Sequence, residues 1–316
     1  MKKVDPFTTA VEQPVKKTRP IWMTIGVLFI VFFVVIPLLS TLWFDEKKNG
    51  NVGVIPINGV ITADGASSYL HGSGVSSLEI VDFIKQADEN KEVKVILLEI
   101  NSPGGSPVAS DEIASAVKKA KKPVIALIRE MGASGGYWIA SAADHIIAHK
   151  MSLTGSIGVV ASYLEFSGLM DKYGVGYEQL MAGEVKDMGT PFKKMTEQER
   201  VIMQKKLDVL HDYFIEEVAT NRKLAKDKVK KMATGEVYLG VEAKQLGLVD
   251  ELGDYTTAEE YIKKTYVLDS IKYVRYEPEK GLLDMLTGVM TDFSFNMGRG
   301  IGSNFVLEDQ HKIMLR

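Results

Sequence analysis

The chain has 316 residues, 46% of them hydrophobic, a formal net charge of −3 and no cysteine. That length accommodates one large domain or two small ones, and a near-neutral charge leaves no electrostatic footprint for nucleic acid. The lack of cysteine excludes a disulfide framework, a thiolate nucleophile and every cysteine-ligated zinc or iron–sulfur centre.

Residues 1–20 carry Lys2, Lys3, Lys16, Lys17 and Arg19, whereas residues 21–44 carry no charge at all. As a helix the uncharged run is about 36 Å long, enough to cross a hydrocarbon core of roughly 30 Å with some tilt. Trp22 and Trp43, near its two ends, suit the headgroup level. Only Lys47 and Lys48 follow closely, so the excess of positive charge keeps the amino terminus in the cytoplasm. The run is too long for a cleavable signal peptide, and no small-x-small cleavage site follows it. The expected organisation is therefore a cytoplasmic tail over 1–20, a transmembrane signal anchor over 21–44 and an extracytoplasmic domain over 45–316. Such a chain is a single-pass protein of the cell membrane.

From residue 51 onward, short β-branched runs alternate with amphipathic stretches, the pattern of an α/β domain. Residues 52–61 read as a strand, or as a hairpin pivoting at Asn58-Gly59. Ser76 and Glu79 form a capping box for a helix ending near Asp88. Residues 93–100 (VKVILLEI) make a buried strand, followed by the Gly-rich turn NSPGG at 101–105 and a helix opened by Ser106-Pro107. Residues 124–128 make a second buried strand that leads into GASGG at 132–136 and another helix. Residues 157–161 and 177–181 are strand candidates. Thr196 and Glu199 box a long helix, in which Met203, Leu207, Leu210, Phe214 and Val218 keep helical spacing and read as core packing. Residues 222–231 read as a solvated, charged helical face. No internal repeat or low-complexity linker divides the exported part, so one domain is the expected count.

The chemistry concentrates in the two Gly-rich turns. Ligands of open α/β sheets bind at the carboxyl ends of strands, and glycine lets backbone amides approach a ligand closely. Ser134, between glycines at the start of an apolar helix, is the candidate nucleophile and needs a base. The pattern G-x-S-x-G suggests an α/β-hydrolase elbow, which requires an acid and then a histidine later in the chain. His71 lies upstream, His145 and His149 fall in a strand-like segment, His211 flanks the packed stripe and His311 is in the tail. In DHIIAHK the acid is misplaced for a zincin and no third ligand stands out, so neither a metal nor another cofactor is expected. Lysine remains, and working as a base near pH 7 asks its amine to fall from about 10.4, a change worth about 4 kcal/mol. Lys186, in an irregular segment bounded by Gly and Pro, is one candidate among several, whereas Lys193 and Lys194 look solvated.

Taken in order, INSPGGS, GASGGYWIASAAD, LTGSIGV, AGEVKDMGTPFKKMTEQE and GLVDELG resemble the SppA-type signal peptide peptidases, over roughly residues 52–276. The resemblance implies an α/β fold of the Clp-protease and crotonase-like kind and a serine endopeptidase with a Ser-Lys dyad. It places the nucleophile at Ser134, the general base at Lys186, an oxyanion hole at the amides of Gly105 and Gly135, and a lysine-orienting hydroxyl at Ser156. It matches the short, single-copy form of the family and implies a homo-oligomeric ring whose sites take serine and lysine from different copies. Spent signal peptides with apolar P1 residues are the implied substrates. After Gly281 no motif of the family is present, although Leu282, Leu286, Val289 and Phe293 keep an apolar stripe. Two other readings stay open: a crotonase-type acyl-transfer enzyme, which has no reason to be exported, and a membrane-tethered scaffold with an inactive site.

Overall fold

Residues 21–35, 49–65 and 74–278 are described by a computed structural model, which divides into a unit over 1–48 and a unit over 49–316. In the first unit, helix α1 (Ile21–Ile30) runs on into a π-helical turn (Val31–Val35) with exposed apolar side chains such as Phe29 and Phe32. Among the described residues no helix is long and apolar enough to cross a membrane. The described helical run ends at Val35, and residues 36–44 of the expected anchor lie outside the described residues.

The second unit is built on a sheet of order β10-β1-β4-β5-β6-β9, parallel throughout. Its strands are β1 (Val52–Asn58), β4 (Val95–Ser102), β5 (Val124–Ala133), β6 (His145–Ala148), β9 (Glu251–Leu252) and β10 (Tyr273–Arg275). Two further strands extend it: β7 (Leu153–Gly155) is parallel to β5, and β8 (Val237–Leu239) is antiparallel to β7. A small parallel pair, β2 (Ile61–Thr62) and β3 (Val75–Ser76), stands apart.

Parallel strands covered on both faces read as continuous apolar runs, and β4 and β5 do. On β4, Ile96, Leu98 and Ile100 face the larger core, with α2 (Ser77–Glu89), α3 (Pro107–Lys119), α4 (Gly135–Ser141) and the carboxyl half of α6 (Glu197–Arg222). Val95 and Leu97 face a smaller core closed by Ala258 and Ile262 of α9 (Tyr255–Tyr266). The helix starts follow the sequence signals. Ser76 accepts from the Glu79 amide, Pro107 opens α3, and both limbs of the Thr196/Glu199 box are formed.

Four expectations are corrected. Of the two readings of residues 52–61 the strand holds over 52–58 and the hairpin does not, because β1 already has β4 and β10 on its two sides, and the chain leaves the sheet at Gly59 with φ +80°. Residues 157–161 and 177–181 form no strands; extension stops at Gly155 and Ser156, both left-handed with φ +76° and +49°. Of the α6 stripe only Phe214 and Val218 are buried, with Met203 and Leu207 half-buried and Leu210 exposed, so the amino-terminal half of α6 leaves its apolar side chains uncovered. Arg222 is not solvated: it donates to both carboxylate oxygens of Asp250, at 2.5 and 3.0 Å, and to the Gly247 carbonyl. The remaining helices are α5 (Ser167–Tyr173), α7 (Lys226–Met232) and α8 (Gly240–Leu246).

Candidate active site

Strand β5 forks. Its first half, Ile125–Ile128, pairs with β6, and its last residues, Met131–Ala133, pair with β7. One residue further, the Ser134 N–H donates to the Gly155 carbonyl at 2.8 Å, while the Ser134 carbonyl accepts from the Trp138 amide at 2.9 Å. Strand therefore becomes helix across a single residue, at the cost of φ 51° and ψ −121° in a serine. A non-glycine residue held there stores on the order of 1–3 kcal/mol, and such strain persists only where neighbours over-determine it. Here the two hydrogen bonds do so, and the hydroxyl stands clear at the amino end of α4.

The two Gly-rich turns interlock at this point. A β-carbon on Gly104, whose φ is +103°, would lie 2.7 Å from the Gly135 nitrogen and 2.8 Å from Ser134 Cβ. One on Gly135 would lie 2.2 Å from Ser110 Oγ and 3.2 Å from the Gly105 nitrogen. Fully buried Ser102 holds the first turn: its Oγ donates to the Gly59 carbonyl at 2.6 Å and accepts from the Gly104 amide at 3.1 Å. Ile61 bridges Gly105 in parallel, donating to the Gly104 carbonyl and accepting from the Ser106 amide. In a parallel bridge the bracketed residue's own N–H points the other way, so that of Gly105 faces away from Ile61. The Gly135 N–H belongs to the first turn of α4, where amides lack intrahelical partners. Two backbone donors are thus left beside Ser134, one from each turn.

A cavity of about 110 Å³ opens at Ser134, Gly105 and Gly135 and is walled by Trp138, Val160 and Phe214. The Trp138 and Phe214 rings stack with centroids 4.7 Å apart, which packs α4 against α6. A larger hollow of about 680 Å³ lies between Asn58, Glu99, Arg129 and Asp254, away from Ser134. Its serine, Ser152, donates to the Ile128 and Arg129 carbonyls, and its Glu99 is paired with Arg275 at 2.9 Å, so it holds no activated nucleophile.

Ser156 follows directly after the carbonyl that holds Ser134. Its amide donates to the Glu236 carbonyl at 2.8 Å and its hydroxyl lies 3.4 Å from the Gly235 carbonyl. Lys186 is exposed, in a loop where its backbone N–H donates to the Gly183 carbonyl at 3.1 Å. Its side chain makes no hydrogen bond or ion pair among the described residues and does not line the cavity. One chain thus brings Ser134, Gly105 and Gly135 together around the cavity, sets Ser156 next to the residue whose carbonyl holds Ser134, and does not place Lys186 in the cavity wall.

No histidine lines the cavity among the described residues. His145 stacks on Tyr261 with ring centroids 3.9 Å apart and faces Asp250 and Glu251, while His149 accepts from the Met151 amide. His71 and His311 lie outside the described residues, and no cluster among those described could hold a metal ion. Sequence reasoning missed the role of Lys193. Far from solvated, it bridges Asp187 at 2.7 Å and Glu199 at 2.9 Å, two carboxylates with 4% and 3% of their side-chain surface exposed. The only available signal was Glu199 in the capping box, and a capping glutamate does not announce a second, buried partner.

Residues 116–268 match the profile of peptidase family S49, and residues 52–167 match that of the NfeD1b N-terminal domain. The chain is 36% identical over 240 residues to a putative protease of Methanocaldococcus jannaschii, a match covering 74% of each chain. It is 35% identical over 236 residues to a putative signal peptide peptidase SppA of Enterococcus faecium, covering 74% of this chain and 69% of that one. It is 36% identical over 210 residues to Protease 4 of Haemophilus influenzae, covering 66% of this chain but only 33% of that longer one.

Proposed function

The chain belongs to the S49 peptidases of the SppA type and is a serine peptidase, and from that premise we propose a Ser134–Lys186 dyad that hydrolyses peptides outside the cytoplasm. The observation that carries the proposal is Ser134 itself: a strained strand-to-helix turn set beside the amides of Gly105 and Gly135 at an apolar cavity.

In this reading the Lys186 amine takes the Ser134 proton as Oγ attacks the substrate carbonyl carbon. The tetrahedral oxyanion accepts from the Gly105 and Gly135 amides, which are already oriented and need no reorganisation as charge develops. Collapse expels the amine leaving group, which takes the proton from the Lys186 ammonium. Water then repeats the sequence on the acyl-enzyme. The Ser156 hydroxyl orients the lysine. Trp138, Val160 and Phe214 offer the P1 side chain an apolar wall, which suits spent signal peptides.

Lys186 comes from a second copy. Three features support this: the lack of any side-chain partner for Lys186 among the described residues, the exposed Val201, Val209 and Leu210 on the amino half of α6, and the exposure of residues 160–184. Among those 25 positions only Ser167 and Met170 are even half-buried, while Val160, Leu164 and Leu180 are 85%, 72% and 103% exposed. So much apolar surface on one segment marks an interaction surface, and a closed ring of identical copies covers it. Residues 21–44 anchor the ring, with 1–20 in the cytoplasm and 45–316 outside.

The test is covalent labelling with a fluorophosphonate serine probe. Wild type is expected to label and Ser134→Ala to lose both labelling and peptidase activity while keeping its fold. Undiminished turnover in Ser134→Ala would sink the assignment.

A further inference from the structure

The loop carrying Lys186 is almost bare of regular structure, yet one charged cluster fixes it. Asp187, the next residue, places its carboxylate where 4% of the side chain is exposed; Lys193 donates to its Oδ2 at 2.7 Å, and Oδ1 has no partner among the described residues. The same ammonium reaches Glu199 at 2.9 Å, and the other oxygen of Glu199 accepts from the Thr196 amide at 2.8 Å and lies 3.0 Å from the Thr196 hydroxyl. Thr196 and Glu199 form the start of α6, so the chain of contacts runs from the helix end, through Lys193, to the residue beside Lys186. Within the loop, the Thr190 amide donates to the Asp187 carbonyl at 2.9 Å, closing a turn around the buried carboxylate.

We propose that Lys193 is a positioning residue: by clamping Asp187 to Glu199 it holds the Lys186 loop rigidly on the end of α6. The inference rests on Lys186 being the base. Without the ammonium, Asp187 would keep both oxygens unpaired in a nearly closed site. Buried carboxylates do not tolerate this, so the loop must move to hydrate them and carry Lys186 with it. An ångström of displacement in a reacting group is enough to remove most of the rate.

The clamp also sets the charge around the base. Lys193 faces Asp187 from the loop and Glu199 from α6; Glu184 flanks Lys186 on its other side in sequence, and exposed Lys194 acts on Glu165. Hydrogen bonds to Asp187 and Glu199 hold Lys193 above the usual lysine range, so it stays charged wherever the enzyme works. Removing it leaves the nearly closed carboxylates of Asp187 and Glu199 without their shared counter-charge, so the loop loses its tie to the end of α6.

The experiment uses the full-length protein in detergent, with a fluorogenic peptide bearing leucine at P1, and compares Lys193→Met, Lys193→Arg, Glu199→Gln and Lys186→Met. Lys193→Met is expected to lower kcat by about 10²-fold with KM changed less than about twofold. Lys193→Arg keeps the charge and the bridge and should recover most of kcat. Wild-type kcat in Lys193→Met, alongside an inactive Lys186→Met, would overturn this inference alone. An active Lys186→Met would overturn the reading of the base, and this inference with it. Should Lys193→Met fail to assemble, Glu199→Gln keeps the Thr196 amide contact but turns its NH2 toward the Lys193 ammonium and so breaks the clamp from the α6 side. Its kcat should fall with KM little changed, and a wild-type kcat would refute the clamp.

Discussion

The proposed nucleophile and the proposed base sit in two differently built regions. Around Ser134 the backbone is determined by its own chain: a forked strand, a carbonyl from β7, two glycine turns without space for a β-carbon and buried helices on one face. Around Lys186 there is one short helix, a charge clamp and a long run of exposed side chains. The contrast teaches that the chain fixes the Ser134 turn with its own backbone, whereas under the proposed dyad the geometry around Lys186 depends on a second copy covering residues 160–184.

The sharpest way to break that contrast is to disturb the self-contained half. A methyl group on Gly135 must push Ser110 aside and crowd the Gly105 amide, since its β-carbon would start 2.2 Å from Ser110 Oγ. Gly135→Ala should therefore lower kcat by about 10²–10³-fold, the scale of losing one oxyanion donor. Steady-state kinetics beside a circular dichroism spectrum checks this. Activity within tenfold of wild type would mean that the two turns do not jointly form the anion site.

The second prediction addresses the open half. If serine and lysine come from neighbouring copies, an equal mixture of inactive Ser134→Ala and Lys186→Met chains regains activity. With random exchange about a quarter of the sites pair an intact serine with an intact lysine across a heterologous interface. Peptidase activity of co-refolded or co-expressed chains, with subunit exchange shown by tagged pull-down, measures it. No recovery in demonstrably mixed rings would place the dyad within one chain.

The same division explains what the sequence disclosed. The β4 and β5 runs, the two glycine turns and the caps at Ser76 and Thr196 are local signals, since burial on both faces, φ requirements and capping chemistry act within a few residues. The strand expectation at 157–161 failed because apolar, β-branched residues there imitate a buried strand while the left-handed pair Gly155–Ser156 ends the extension, and that at 177–181 failed because no neighbouring strand pairs with this exposed segment. The α6 stripe has helical period, but period cannot tell a buried face from an exposed one; only Phe214 and Val218 are buried. Lys193 and Arg222 looked solvated because their acidic partners cannot be assigned by spacing alone, Arg222 lying 28 positions from Asp250.

The smallest expected effect sharpens the comparison from the stability side. Arg222, with 8% of its side chain exposed, ties the end of α6 to Asp250, whose carboxylate also accepts from the Ile146 amide at 2.8 Å at the start of β6. This pair belongs to the closed half and touches neither Ser134 nor the Lys186 loop, so Asp250→Asn should change stability and leave kcat alone. Burial by itself would raise the Asp250 carboxyl, but the hydrogen bond and charge of Arg222 and the Ile146 amide hold it below the usual carboxylate range. A carboxyl depressed on folding contributes stability above its unfolded value of about 3.9 and loses it as the pH falls through the folded value. At pH 7 the substitution should therefore cost about 2 kcal/mol, the scale of a charged hydrogen bond. That corresponds to a drop of roughly 6 °C in Tm for a domain of this size. Below about pH 4 the wild type begins to lose this contribution, and the loss is complete only below the folded value, so the gap between the two melting curves should narrow steadily as the pH falls. Thermal melts of both proteins from pH 3 to pH 8 give the answer: a gap as wide at pH 3 as at pH 7 would show that the pair stabilises the fold by packing rather than by charge, and a fall in kcat would join the two halves that the structure keeps separate.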